Sequence, residues 1–157
     1  MVQLNAVAAM QLSYLYGSDM RKAGRGRILN VSSCAAFSAG PYMSIYYATK
    51  GFVLSFSLAL SKELEGSGVT VTAICPGPTS TGFESAAQMR GSKMFKIIKP
   101  QSAAHVAECA YRAMVKGKPV VYHSPTTKLF NIGSRLTTRR FAAGLAENIN
   151  SKPERRN

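Results

Sequence analysis

The 157 residues carry 20 Lys and Arg against 7 Asp and Glu, a formal net charge of +13, and 46% of them are hydrophobic. That length supports one domain with a substantial core, and no apolar run reaches the roughly 18 residues a membrane-spanning helix needs. The charge excess directs attention to nucleic acid or an anionic membrane surface. However, the basic residues are not interleaved with aromatics as in single-strand binders, so no nucleic-acid partner is expected.

In chain order, Val2 to about Lys22 has apolar residues at helical spacing (Leu4, Val7, Ala8, Leu12, Leu15), and Gly24 to Gly26 supply a stop. This predicts a first helix with Asn5 near its start. The first 16 residues are apolar enough to imitate a secretion signal, but no basic stretch precedes them and Asn5 and Gln11 interrupt them. Ile28 to Val31 reads as a short central parallel strand. Cys34 to Pro41 is a loop of small residues that leaves room for a ligand.

A helix follows, opening with Tyr46 and Lys50 and continuing to about Glu65, with Gly66-Ser67-Gly68 ending it. Val69 to Cys75 (VTVTAIC) is a second strand, and Pro76-Gly77-Pro78 a turn after it. Gly82 to Pro100 is polar and basic with a few apolar anchors, the composition of a lid or substrate-contact loop. Gln101 to Val115 reads as a helix with Ser102 as N-cap, and Pro119 to Tyr122 as a last short strand.

From Arg112 onward there are 10 basic and 2 acidic residues, so +8 of the charge lies in the last 46 positions. Residues 1–125 are read as the main domain and 126–157 as a basic C-terminal extension. The extension is expected to pack on the body with its arginines outward, in preference to lying on an anionic bilayer, which would be a peripheral membrane contact. Disorder is expected from Ser151 on.

Cys34, Cys75 and Cys109 are widely spaced and form no metal-ligand pattern with His105 or His123. They read as small buried apolar groups in a reducing, cytoplasmic setting, and no metal is expected.

The chemistry concentrates between Arg27 and Gly51. Tyr46 and Lys50 are four apart and share one helix face, and Ser33 lies thirteen positions before Tyr46. A phenol titrates near 10, too high for acid/base work at neutral pH, and an ammonium one turn away favours the phenolate and pulls that value down. A serine hydroxyl beside it can donate to a carbonyl oxygen that gains charge as it is reduced. Such a set moves the proton in an alcohol/ketone interconversion, and a cofactor must supply the hydride. Tyr47 has no lysine at i+4 and points about 100° away around the helix. Ser32 reads as a hydroxyl satisfying backbone.

The Ser33, Tyr46-x-x-x-Lys50 pattern resembles the short-chain dehydrogenase/reductase family. Asn5, 28 residues before Ser33, the run Arg27 to Ser33 (RILNVSS) and Cys75-Pro76-Gly77-Pro78 strengthen the resemblance. It implies an α/β fold, the second half of a doubly wound Rossmann-type sheet with about three parallel strands flanked by helices. The catalytic set it implies is Asn5, Ser33, Tyr46 and Lys50, with Asn5 ordering a water relay. The implied cofactor is NADP or NAD, held by Tyr46, Lys50, Pro76, Gly77 and a threonine, Thr81 first and Thr79 second. The implied partners are a small alcohol or carbonyl substrate and, through the two helices, a second copy of the chain.

The sequence departs from the family in one respect. It contains neither a glycine-rich phosphate turn nor Asn-Asn-Ala-Gly, so that part of the family domain is expected to precede Met1. Two expectations follow: a chain from a nicotinamide-dependent oxidoreductase, or a truncated, non-enzymatic remnant acting in interaction or oligomerisation.

Overall fold

A computed structural model describes residues 1–83 and 99–151. Three parallel strands, β1 (Gly26–Val31), β2 (Val69–Cys75) and β5 (Val120–Tyr122), form the main sheet in the order β1-β2-β5. Ile28 pairs with Val71, Val31 with Ile74, and Ile74 with Val121. The middle strand is nearly all β-branched or small, and six of its seven residues are buried. This is the pattern of a parallel strand covered on both faces.

Side chains alternate across the sheet and build two cores. On one face Ile28, Val69 and Val71 pack with Leu64, Leu60 and Met20, which belong to or flank α1 (Ala8–Lys22) and α2 (Ser44–Glu63). On the other, Leu29, Ile74 and Val121 pack with Cys109, Ala110 and Ala113 of α3 (Ala103–Val115). The result is three layers, helix on sheet on helix. Asn30 ties two of them together, donating to Ser57 Oγ at 3.0 Å and Ser13 Oγ at 3.4 Å, all three residues being buried.

Local signals set the helix ends. Ser102 Oγ accepts from the His105 N–H at 3.2 Å and starts α3, as expected. Ser124 does the same for α4 (Pro125–Leu136), with Pro125 in the first turn, and Thr138 for α5 (Arg139–Asn150).

The structure refines several expectations. The first helix opens as a turn of π-helix over Gln3–Val7 that contains Asn5. The loop after β1 holds a 3-10 turn, Cys34–Phe37, because the Ser33 hydroxyl caps it by accepting from the Ala35 N–H at 3.1 Å. Beyond Pro78, β3 (Thr79–Ser80) and β4 (Gln101–Ser102) make a two-residue parallel bridge. The expected lid, 82–100, lies largely outside the described residues, as does 152–157.

Two helices, Pro125–Leu136 and Arg139–Asn150, take up the segment after β5 and pack on the body. Phe130 lies 6.1 Å from Phe37, and Ala146 is buried against Ala35 and Tyr47. Leu129, Leu136 and Phe141 remain outward and exposed. No helix among the described residues is long and apolar enough to cross a membrane.

Candidate active site

The carboxyl ends of the three main strands deliver Ser32-Ser33, Pro76-Gly77 and His123 to one edge of the sheet, where ligands of open α/β sheets bind. Helix α2 begins over this edge and contributes Tyr46 and Lys50. A cavity of about 170 Å³ results, and its lining includes Ser33, Tyr46, Lys50, Pro76, Gly77, Thr79 and Thr81. All of the expected site residues except Asn5 therefore face one space.

Ser33 is buried on the cavity wall that it shares with Tyr46, and its hydroxyl donates to Cys34 Sγ at 4.0 Å. Ser32 donates to the Lys50 carbonyl at 2.8 Å, so it satisfies helix backbone and leaves Ser33 as the hydroxyl beside the phenol. Tyr46 packs edge-on to Tyr47 (74° between rings, centroids 6.3 Å apart) and 5.0 Å from the Phe83 ring. The Lys50 Nζ lies 5.8 Å from the Tyr46 ring centroid and donates to the Val31 carbonyl at 2.9 Å.

The electrostatics differ from the expectation. Burial pushes the Tyr46 phenol above its ordinary value, outweighing the nearby Ser33 hydroxyl, which favours the phenolate, and burial pushes Lys50 down. Both shifts favour the uncharged forms, as desolvation does where no opposite charge compensates. The lysine's hydrogen bond goes to strand backbone, and the phenol keeps its proton.

Asn5 stands apart from the cavity lining. Its Nδ2 donates to Thr49 Oγ1 at 3.2 Å, and Thr49 donates to the Tyr46 carbonyl at 2.8 Å. Asn5 therefore braces the helix that carries Tyr46 and Lys50 from behind. Thr79 Oγ1 donates to the Gly77 carbonyl at 3.0 Å, and Thr81 Oγ1 accepts from the Phe83 N–H at 3.2 Å.

A second chamber, about 380 Å³, shares Cys34, Ala35, Tyr47, Gly77 and Pro78 with the first. Its far walls come from Phe130 of α4 and Ala146 and Ile149 at α5, with His123 on the strand side. Sequence reasoning missed these residues, having weighed His123 only as a metal ligand. The available signal was its place directly after a parallel strand. Cys34 and Cys75 beneath the site are held as thiols by burial, Cys75 up to about 12.

The family model for short chain dehydrogenases matches residues 1–90. The ketoacyl reductase HetN of Nostoc sp. is 31% identical over 125 residues, covering 79% of this chain and 43% of its own length. The short-chain reductase NovJ of Streptomyces niveus is 42% identical over 81 residues, 51% of this chain and 30% of its own. Among solved structures, a short-chain dehydrogenase from Sphingobium yanoikuyae in complex with NADPH superposes with TM-score 0.71 at 27% identity, covering 87% of this chain and 53% of that one. The chain thus spans about half or less of the length of these relatives.

Proposed function

The chain belongs to the short chain dehydrogenase family, and on that premise we propose that it carries the acid/base site of a nicotinamide-dependent oxidoreductase that interconverts an alcohol and a ketone or aldehyde. The observation that supports this most is the convergence of Ser33, Tyr46 and Lys50 on one cavity walled by Pro76 to Thr81. In the reductive direction Ser33 donates a hydrogen bond to the substrate oxygen, and Tyr46 passes its proton to that oxygen as negative charge builds there. A phenol whose proton is held by burial suits the acid role. Lys50 stands one turn away to stabilise the tyrosinate left behind, and Asn5 holds the helix in place.

The residues fit the nicotinamide end of NADP or NAD. Lys50 has three ammonium donors and uses one on Val31, leaving two for ribose hydroxyls. The cavity of about 170 Å³ is below the roughly 300 to 1,000 Å³ of pockets that enclose a drug-sized ligand, so it matches one end of a dinucleotide. The nicotinamide would supply the hydride. The apolar chamber next door suits a ketone with a bulky apolar arm, in keeping with relatives named as a ketoacyl reductase and a very-long-chain 3-oxoacyl-CoA reductase.

Exposed Leu12, Leu15 and Tyr16 on α1 and Phe52 on α2, which stacks on Phe56 at 5.8 Å, form the surface we assign to pairing with a second copy. The test of the activity is Tyr46→Phe assayed for NAD(P)H-dependent carbonyl reduction. Loss of turnover with cofactor binding retained supports the reading, and unchanged turnover refutes it.

A second reading, a non-enzymatic interaction module, draws on the exposed apolar residues Leu12, Leu15, Tyr16 and Phe52 of α1 and α2. Titration with NADPH and sequencing of the coding DNA upstream of Met1 separate the two. Dinucleotide binding, or an in-frame glycine-rich turn after a strand, favours the enzyme.

A further inference from the structure

The turn Pro76-Gly77-Pro78 is a wall common to both cavities at Gly77 and Pro78, and Gly77 carries its only backbone N–H, since proline has none. Its carbonyls are all engaged within neighbouring backbone or the turn itself. Pro76 accepts from the Cys34 N–H at 2.8 Å, Gly77 from Thr79 Oγ1 at 3.0 Å, and Pro78 from the Gln101 N–H at 3.0 Å. The remaining group, the Gly77 N–H, donates to Nδ1 of His123 at 3.1 Å.

This bond dictates the state of the imidazole. A neutral ring accepts at one nitrogen only, so His123 is held as the Nε2–H tautomer, whereas the imidazolium has no acceptor to offer. The contact is also close. A Cβ on Gly77 would stand 3.1 Å from Thr127 Oγ1 and 3.2 Å from His123 Cε1. His123 lies between β5 and α4, whose cap, Ser124, is the next residue, so both of its neighbours are fixed.

We propose that His123 is a positioning residue for the site: in its neutral form it pins Gly77, sets the turn from which Pro76 to Thr81 face Ser33, Tyr46 and Lys50, and releases that turn when protonated. His123 is absent from the lining of the smaller cavity and acts through Gly77. Burial keeps its imidazole below the ordinary value, with His105 adding to the effect. Among the described residues that line the larger chamber with it, Lys99 is the charged side chain, and none is a carboxylate. The effect on cofactor rests on the nicotinamide reading above, but the hydrogen bond does not.

The experiment is NMR of the ¹⁵N-labelled chain from about pH 8 to about pH 5, the range in which histidine charges. The expected result is an Nε2–H tautomer, with the Gly77 amide resonance moving at the same midpoint as the His123 ring, below 6.5. His123→Asn, whose Oδ1 can replace Nδ1 as acceptor, keeps the Gly77 amide protected from exchange and removes its titration. His123→Leu loses protection by about tenfold, as an unpaired amide should. A Gly77 resonance indifferent to the His123 titration, or an Nδ1–H tautomer, overturns the pin.

NADPH titrations of the same three proteins separate the two readings. Weaker NADPH binding by His123→Leu, restored in His123→Asn, supports the positioning role. Equal binding by all three overturns the positioning role. A pin observed in a chain that binds no NADPH overturns the role in cofactor positioning and, with it, the nicotinamide reading for this chain.

Discussion

The Tyr47 hydroxyl donates to Oδ1 of Asn150 at 3.1 Å across 103 positions of sequence, and Asn150 Nδ2 donates in turn to the Pro41 carbonyl at 3.0 Å. Both side chains are buried, Tyr47 9% exposed and Asn150 5%. The last helix therefore clamps the start of α2, one residue from the proposed acid. Asn150→Ala should cost about 1–3 kcal/mol, since it strands a buried hydroxyl and a backbone carbonyl together. Tyr47→Phe should cost about 1 kcal/mol. Urea unfolding of the two single variants and the double checks this, and the double should cost less than the sum.

Gly68 closes the turn between α2 and β2 with a left-handed backbone, φ +78°, and its carbonyl accepts from the Gly26 N–H at 3.2 Å. A Cβ there would run into the Gly24 carbonyl oxygen and carbon. Gly68→Ala combines strain at positive φ with a backbone clash and should lose more than about 2 kcal/mol. Gly66 has the same φ with open space around it, so Gly66→Ala should cost only about 1 kcal/mol, and comparing melting temperatures of the two isolates the clash.

Lys50 sits where burial disfavours its charge. Lys50→Met should leave stability within about 1 kcal/mol of the parent, because the desolvation cost disappears along with the hydrogen bond to Val31. Carbonyl reduction should nevertheless fall by about 10²-fold or more, the scale of a lost acid/base partner. Steady-state kinetics beside thermal melts test the split. A variant that is both active and stable would remove Lys50 from the mechanism.

Alkaline pH should unfold the chain early. Cys75 is raised from 9.0 to about 12, and Tyr46 and Tyr47 are raised from 10.0, all chiefly by burial. The folded chain thus holds protons that the unfolded chain releases, so this stability is complete below about pH 9 and drains away as pH climbs toward 12. His123 acts on the acid side, because its lowered value makes stability present above about 6.5 decline as pH falls below it. Melting temperature against pH should show both limbs, and Cys75→Ala should make the alkaline limb shallower without moving its onset, since Cys34, also raised from 9.0 by burial, still begins to drain stability there, followed by the tyrosines.

Much of the fold was legible because its signals are local. VTVTAIC could hardly be anything but a buried strand, and it occupies Val69–Cys75 as read. Ser102 marks the start of α3 through one side chain and one N–H three residues on. The spacing of Tyr46 and Lys50 put them on one helix face for the same reason: helical periodicity is a property of consecutive residues.

Other features depended on partners distant in sequence. Nothing near Asn5 indicates that its amide meets Thr49, and nothing near Tyr47 indicates Asn150. The direction of the Tyr46 shift was misread because spacing reports a neighbouring charge but not burial, and burial is the larger influence here. His123 gave no motif at all. It gained its place because β5 lies beside β2 in the sheet, which brings an imidazole and the one N–H of a Pro-Gly-Pro turn to 3.1 Å across 46 positions. By itself the sequence determined the strands, the helix faces and the residues able to move a proton, all set by neighbours in the chain. Only the tertiary structure decided which of those residues share a cavity, how far burial shifts them and what holds the turn beside them, since desolvation and long-range hydrogen bonds exist only once the layers have packed.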